Sequence, residues 1–131
     1  KMFDWKKPTV QMLGRWQPWH DGHQALFKRC VAKTGQVIIQ VRDVQGASGG
    51  DGQDDNPFDW DSVCKNIEDG LIKDNFKRGV DYEIMLVPNI VNITYGRGVG
   101  YAFDEEVFDE ATHSISATKI RKKMRDEGKL K

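Results

Sequence analysis

Three short runs rich in apolar and β-branched residues, at 10–13, 36–41 and 82–87, divide this chain, and the stretches between them carry apolar positions at helical spacing. Within 21–33, Leu26, Phe27, Cys30 and Val31 stand at i, i+1, i+4 and i+5, the stripe of an amphipathic helix, with Gly35 placed to end it. Asn56 followed by Pro57 reads as a cap and first helical position, and Trp60, Val63, Cys64 and Ile67 form a second stripe, expected to continue through Gly70 towards Phe76. Pro88 stops the third run. A short edge strand is expected at 105–108, and Ser116 caps a last helix whose apolar stripe holds Ile120 and Met124. Strand, helix, strand, helix, strand predicts an α/β fold, a Rossmann-like open parallel sheet with helices on both faces and right-handed crossovers. Residues 1–9 are polar and read as a tether, with Phe3 and Trp5 as residues that could pack, and 10–131 as a single domain.

Totals change this picture little. At 131 residues the chain is long enough for one core and short for two. No apolar run approaches the roughly 20 residues that span a bilayer, and no signal peptide opens the chain, so a cytoplasmic protein without a membrane partner is expected. Twenty Lys and Arg balance 20 Asp and Glu, which argues against a general nucleic-acid binder. The cluster Lys119, Arg121, Lys122, Lys123 and Arg125 reads as the solvated face of the last helix, apart from what Arg121 does below. Cys30 and Cys64 occupy apolar helical positions and read as small buried hydrophobes, with no metal-site spacing. Nothing in the chain fixes its oligomeric state, and a homo-oligomer is left open.

The chemistry gathers at two helix starts. Gly14-Arg15-Trp16-Gln17-Pro18-Trp19-His20-Asp21-Gly22-His23 joins the first strand to the first helix. A helix start has unpaired N–H groups and a partial positive charge, Gly22 allows close approach, and His20 and His23 at i and i+3 can face one ligand. This is an anion site by design, and a phosphate suits it. At the last helix, Ser116 and Thr118 bring hydroxyls beside backbone N–H groups, and Arg121 can grip the same anion bidentately. A polyphosphate would satisfy both ends. The Gly96-Arg97-Gly98-Val99-Gly100 run lacks the strand before and helix after that a dinucleotide fingerprint requires. Loops 43–55 and 89–101 flank the inferred site, and Asn92, Tyr95 and Arg97 are the candidate acceptor contacts. Trp16, Trp19 and Tyr95 could stack a ring, with core packing as the competing reading.

The first stretch resembles the G-R-F-Q-P-x-H-x-G-H signature of the nucleotidylyltransferase superfamily, and Ile115-Ser116-Ala117-Thr118-Lys119-Ile120-Arg121 resembles its second signature, I-S-S-T-x-I-R. Asn56-Pro57-Phe58 is similar to a segment of archaeal-type nicotinamide-mononucleotide adenylyltransferases. The resemblance implies the fold of that superfamily, and transfer of an NMP group from an NTP to a small phosphorylated acceptor, with release of pyrophosphate. It implies catalytic roles for His20, His23 and Arg121, and nucleotide or phosphate contacts from Gly14, Arg15, Gln17, Gly22, Ser116 and Thr118. Mg²⁺ would arrive on the phosphates with no direct protein ligand. The G-R-x-Q-P form is nearer adenylyltransferases than cytidylyltransferases, which favours ATP over CTP. The alternatives are a CTP-using enzyme and a catalytically silent nucleotide-sensing domain of a larger protein. Two departures stand out: Ala117 replaces a serine, and little chain separates the third strand from the last helix, which weighs against a large acceptor such as nicotinamide mononucleotide.

Overall fold

The computed structural model describes residues 2–44, 56–98, 100–108 and 116–130. Three parallel strands, β1 (Val10–Gly14), β2 (Val37–Arg42) and β3 (Tyr82–Val87), lie in the order β1-β2-β3. Helix α1 (Asp21–Thr34) connects the first two, α2 (Trp60–Ile72) precedes β3, and α3 (Ala117–Asp126) closes the chain. The expected α/β open parallel sheet is what forms, and its strands and outer helices fall within a residue or so of their predicted positions.

Register explains the core. Val10 pairs with Val37 and Val37 with Tyr82, while Met12 aligns with Ile39 and Ile39 with Ile84, so one face of the pleat carries all of these. Val37, Ile39 and Val41 are fully buried against Phe27 and Cys30 of α1 and Val63, Ile67 and Leu71 of α2. A sheet built in sequential order steps in one direction, and right-handed crossovers then place both connecting helices on the same face. The other pleat face is more polar, and Gln11 donates to Gln40 across it.

Three local expectations need correction. The α2 cap is Asp59, whose carboxylate accepts from Ser62 N–H at 2.9 Å; Asn56 is buried and bonded by Arg15, so 56–58 stays outside the helix. Those Ser62 hydrogen bonds also hold the Asp59 carboxyl below the usual carboxylate range. Helix α2 stops at Ile72, because the chain turns at 73–75 with Asn75 at φ 66°, and Phe76 returns as an edge-on partner of Phe27 at 4.9 Å. Residues 105–108 form no strand: Lys33 binds Asp104 and Glu106, and Arg29 donates to the Val107 carbonyl, so side chains of α1 satisfy this segment instead of a neighbouring strand. Gly35 ends α1 as expected, at φ 88°. Residues ahead of β1 are tied to the sheet through Gln36, whose buried amide serves Asp4 and Thr9. Cys30 and Cys64 are unpaired thiols packed in or against the core.

Candidate active site

Strand β1 ends at a glycine because nothing larger fits. A Cβ on Gly14 would lie 2.8 Å from the Trp16 ring. Trp16 itself sits at φ 54°, a conformation L-residues rarely adopt, and is held there by its indole N–H on the Gln40 carbonyl at 3.0 Å. Trp19 follows it inward: its indole donates to Gln24 Oε1 at 2.8 Å, and a Cβ on Gly70 would stand 2.9 Å from its ring. Both tryptophans are buried, with ring centroids 5.2 Å apart, so core packing is their role and neither offers a free stacking face. The backbone between them includes the cis Gln17–Pro18 bond.

The same stretch delivers two histidines. His20 caps α1: its Nδ1 accepts from Gly22 N–H at 3.0 Å and His23 N–H at 3.4 Å, while His23 Nδ1 accepts from His20 N–H at 3.2 Å. It is a capping box made of imidazoles. Because each Nδ1 is an acceptor, each neutral ring carries its proton on Nε2, and those N–H groups remain as donors for a ligand. The rings stack at 3.6 Å and 16°, with His23 also edge-on to Trp16 at 4.8 Å. Burial lowers the pKa of His23 to about 3, with His20 adding to the effect. Burial also lowers His20, against the opposing charge of Asp21. Both rings are therefore neutral at pH 7. The backbone N–H groups of Gly22 and His23, expected to meet an anion directly, are turned onto His20, so imidazole N–H replaces backbone N–H at this helix start.

The second helix start is held to the first. Ser116 caps α3 by accepting from Lys119 N–H at 3.4 Å. Arg121, 3% exposed, donates to the Gln17 carbonyl at 2.6 Å and to Thr118 Oγ1 at 3.2 Å. It meets the first motif three residues before His20. Arg15 donates to Asn56 Oδ1 at 3.2 Å, and Gln17, also buried, pairs with both the N–H and the carbonyl of Phe58. Hydrogen bonds thus join Arg121 to Thr118 and to Gln17, and Arg15 and Gln17 to 56–58, while His20 and His23 pair with each other three residues further along the same motif. The part played by 56–58 is the piece that composition and spacing missed. Its sequence signal is the tripeptide Asn56-Pro57-Phe58, whose first two residues read as a helix cap by spacing and which resembles an adenylyltransferase segment.

The candidate acceptor residues lie elsewhere. Tyr95 stacks on Phe103 at 4.9 Å, and together with Arg97 it lines an open groove of about 1380 Å³ along the outer edge of β1, which reaches Trp16. Asn92 bonds Thr94 on the exposed surface. No described contact joins these three to the histidines. Ile115, Val99 and residues 45–55 of the glycine-rich loop lie outside the described residues.

No family model matches the chain. In an alignment 118 positions long that covers 83% of its length, it is 25% identical to a protein of Methanococcus aeolicus named nicotinamide-nucleotide adenylyltransferase, and it spans 66% of that relative. The similarity supports kinship with the nucleotidylyltransferases.

Proposed function

We propose that this chain carries out nucleotidyl transfer, moving AMP from ATP to a small phosphorylated acceptor. The observation that carries the reading is that Arg121 of one helix start bonds the carbonyl of Gln17, three residues before the His20–His23 pair that opens the other. A triphosphate laid across them would meet neutral imidazole N–H donors near its α-phosphate and a guanidinium near its β- and γ-phosphates. An acceptor phosphate oxygen attacks the α-phosphorus, the bond from that phosphorus to the bridging oxygen breaks, and pyrophosphate leaves. Neutral imidazoles stabilise charge spreading on the α-phosphate by hydrogen bonding, while Arg121 offsets charge building on the leaving group. Thr118 orients that guanidinium, Ser116 sets the cap beside it, and Gly14 with Gly22 keep the backbone close to the site. Mg²⁺ would arrive bound to phosphate oxygens and water, contributing charge neutralisation.

Adenylyl rather than cytidylyl transfer follows from the form of the first motif and from the name of the Methanococcus aeolicus relative. That name also puts a nicotinamide nucleotide at the head of any acceptor panel, despite the short segment between β3 and α3. The test is pyrophosphate release with ATP and CTP against a nicotinamide mononucleotide, phosphorylated sugars and phosphorylated alcohols. Release with ATP and one acceptor supports the reading. ATP binding without release against the whole panel replaces it with a nucleotide-sensing role, and no binding of either nucleotide removes it.

A further inference from the structure

The motif resemblance casts Gln17 as a nucleotide contact, but its side chain is committed elsewhere. It is 2% exposed; Oε1 accepts from Phe58 N–H at 2.9 Å and Nε2 donates to the Phe58 carbonyl at 3.0 Å. A carboxamide that answers both polar groups of one residue does the work of a strand rung for a segment that belongs to no strand. Two residues earlier on both segments, Arg15 and Asn56 form a second rung. The backbone carbonyl of the same Gln17 accepts from Arg121. One buried residue therefore touches three pieces: the histidine-bearing motif, the lead-in to α2, and the arginine of α3.

We propose that Gln17 is a positioning residue for nucleotidyl transfer, setting through its Phe58 rung and its carbonyl the distance between the histidine pair and Arg121. The inference rests on the function proposed above. Its physical basis is that Arg121, the one buried residue of α3 among those described, reaches into the first motif at Gln17. Freed from Phe58, the 17–18 backbone gains room to shift, and Arg121 shifts with the carbonyl it bonds. A displacement on the order of 1 Å is enough to cost up to about a hundredfold in rate when chemistry depends on placement.

The test uses Gln17→Met and Gln17→Glu in the full chain. Methionine keeps length and volume while removing both hydrogen bonds; glutamate keeps the acceptor for Phe58 N–H and loses the donor. Kinetics with ATP and the best acceptor are measured well below each variant's Tm, together with hydrogen exchange at the Phe58 amide. We expect kcat to fall about tenfold in Gln17→Met and less in Gln17→Glu, with KM for ATP moving less than kcat and Phe58 exchange quickening. A purely structural residue would lower Tm and leave kcat of the folded protein alone. Unchanged kcat in either folded variant overturns the proposal, as does failure of both variants to fold. A wild-type chain that turns over no nucleotide overturns the reading beneath it, an outcome distinct from a wild type and variants that are equally active.

Discussion

The two helix starts are built by different constructions. At α1 the two imidazoles are themselves the cap: His20 and His23 close a capping box, stack on each other, and rest on two buried tryptophans that a pair of glycines makes room for. At α3, among the described residues, Ser116 caps by accepting a long bond from Lys119 N–H, and the Arg121 guanidinium reaches into the first motif. The α1 start thus rests on the core, whereas the described contacts of the α3 start are polar. Placement of the attacked phosphorus would be fixed by the first and tuned by the second. Because polar contacts are easier to break singly than packing, α3 is the half on which substitution or ligand binding should act.

The sharpest way to break the comparison is to separate cap from chemistry at His20. His20→Ala removes both the cap acceptor and the Nε2–H donor, and activity should fall by roughly 10²–10³, the loss typical of one transition-state donor. Stability should fall by about 1 kcal/mol. His20→Asn restores a good cap without the distal donor, so urea denaturation should show stability recovered while activity stays low. Recovery of activity with the cap would make His20 structural only. His23→Ala should match His20→Ala in rate.

Arg121→Met comes next, with an expected loss of about a hundredfold in kcat. Hydrogen exchange should show amides of α3 losing protection while those of β1 and α1 keep theirs. Equal loss of protection in both regions would show that α3 is packed as firmly as α1.

Strands and helices were legible because the apolar positions followed the periods of a parallel sheet and its crossovers, down to β3 at 82–87 and the Gly35 stop. The errors fell where side chains replace backbone partners. Asn56 reads as a cap in sequence, but Arg15 and Gln17 capture 56–58 from forty residues away, and no local pattern records that. The stretch 105–108 has strand-like residues, yet its partners are Lys33 and Arg29 on a helix. At the site, the sequence reads the histidines, Ser116, Thr118 and Arg121 as candidate anion ligands, and the structure places them at two helix starts. That His20 would use up neighbouring N–H groups as its cap was not legible, since that choice belongs to a rotamer. Trp16 and Trp19 could be either ring platforms or core; only packing decides, and it chose core.

A milder perturbation of the α1 start is a methyl group. Gly14→Ala sets a Cβ 2.8 Å from the Trp16 ring, and Gly70→Ala sets one 2.9 Å from Trp19. Each tryptophan is buried and hydrogen-bonded, so neither can yield cheaply, and each variant should lose about 1–3 kcal/mol in denaturant melts. Gly96→Ala, with nothing near its added Cβ, is the matched control and should change stability by less than about 0.5 kcal/mol. Equal stability in all three would mean the tryptophans are not locked.

The smallest effect should come from pH, and its sign follows from burial. His23 has its folded pKa lowered to about 3, and His20 is lowered as well, while an unfolded histidine titrates near 6.5. Between these values the unfolded chain binds protons that the folded chain refuses, so stability is complete above about pH 6.5 and declines as pH falls through that value. For His23 the slope should be on the order of 1 kcal/mol per pH unit between pH 6.5 and 5, above the range where carboxylates dominate. Protonating either Nδ1 would also turn a cap acceptor into a donor facing another N–H, so the acid loss should concentrate at the α1 start. Denaturant melts at pH 7 and 5.2 should show it in the wild type and show less of it in His23→Gln, which cannot titrate. An Arg121→Met variant should keep the full pH slope, because α3 has no part in the imidazole box; if its slope vanished too, the two helix starts would be one cooperative unit and the contrast between them would fail.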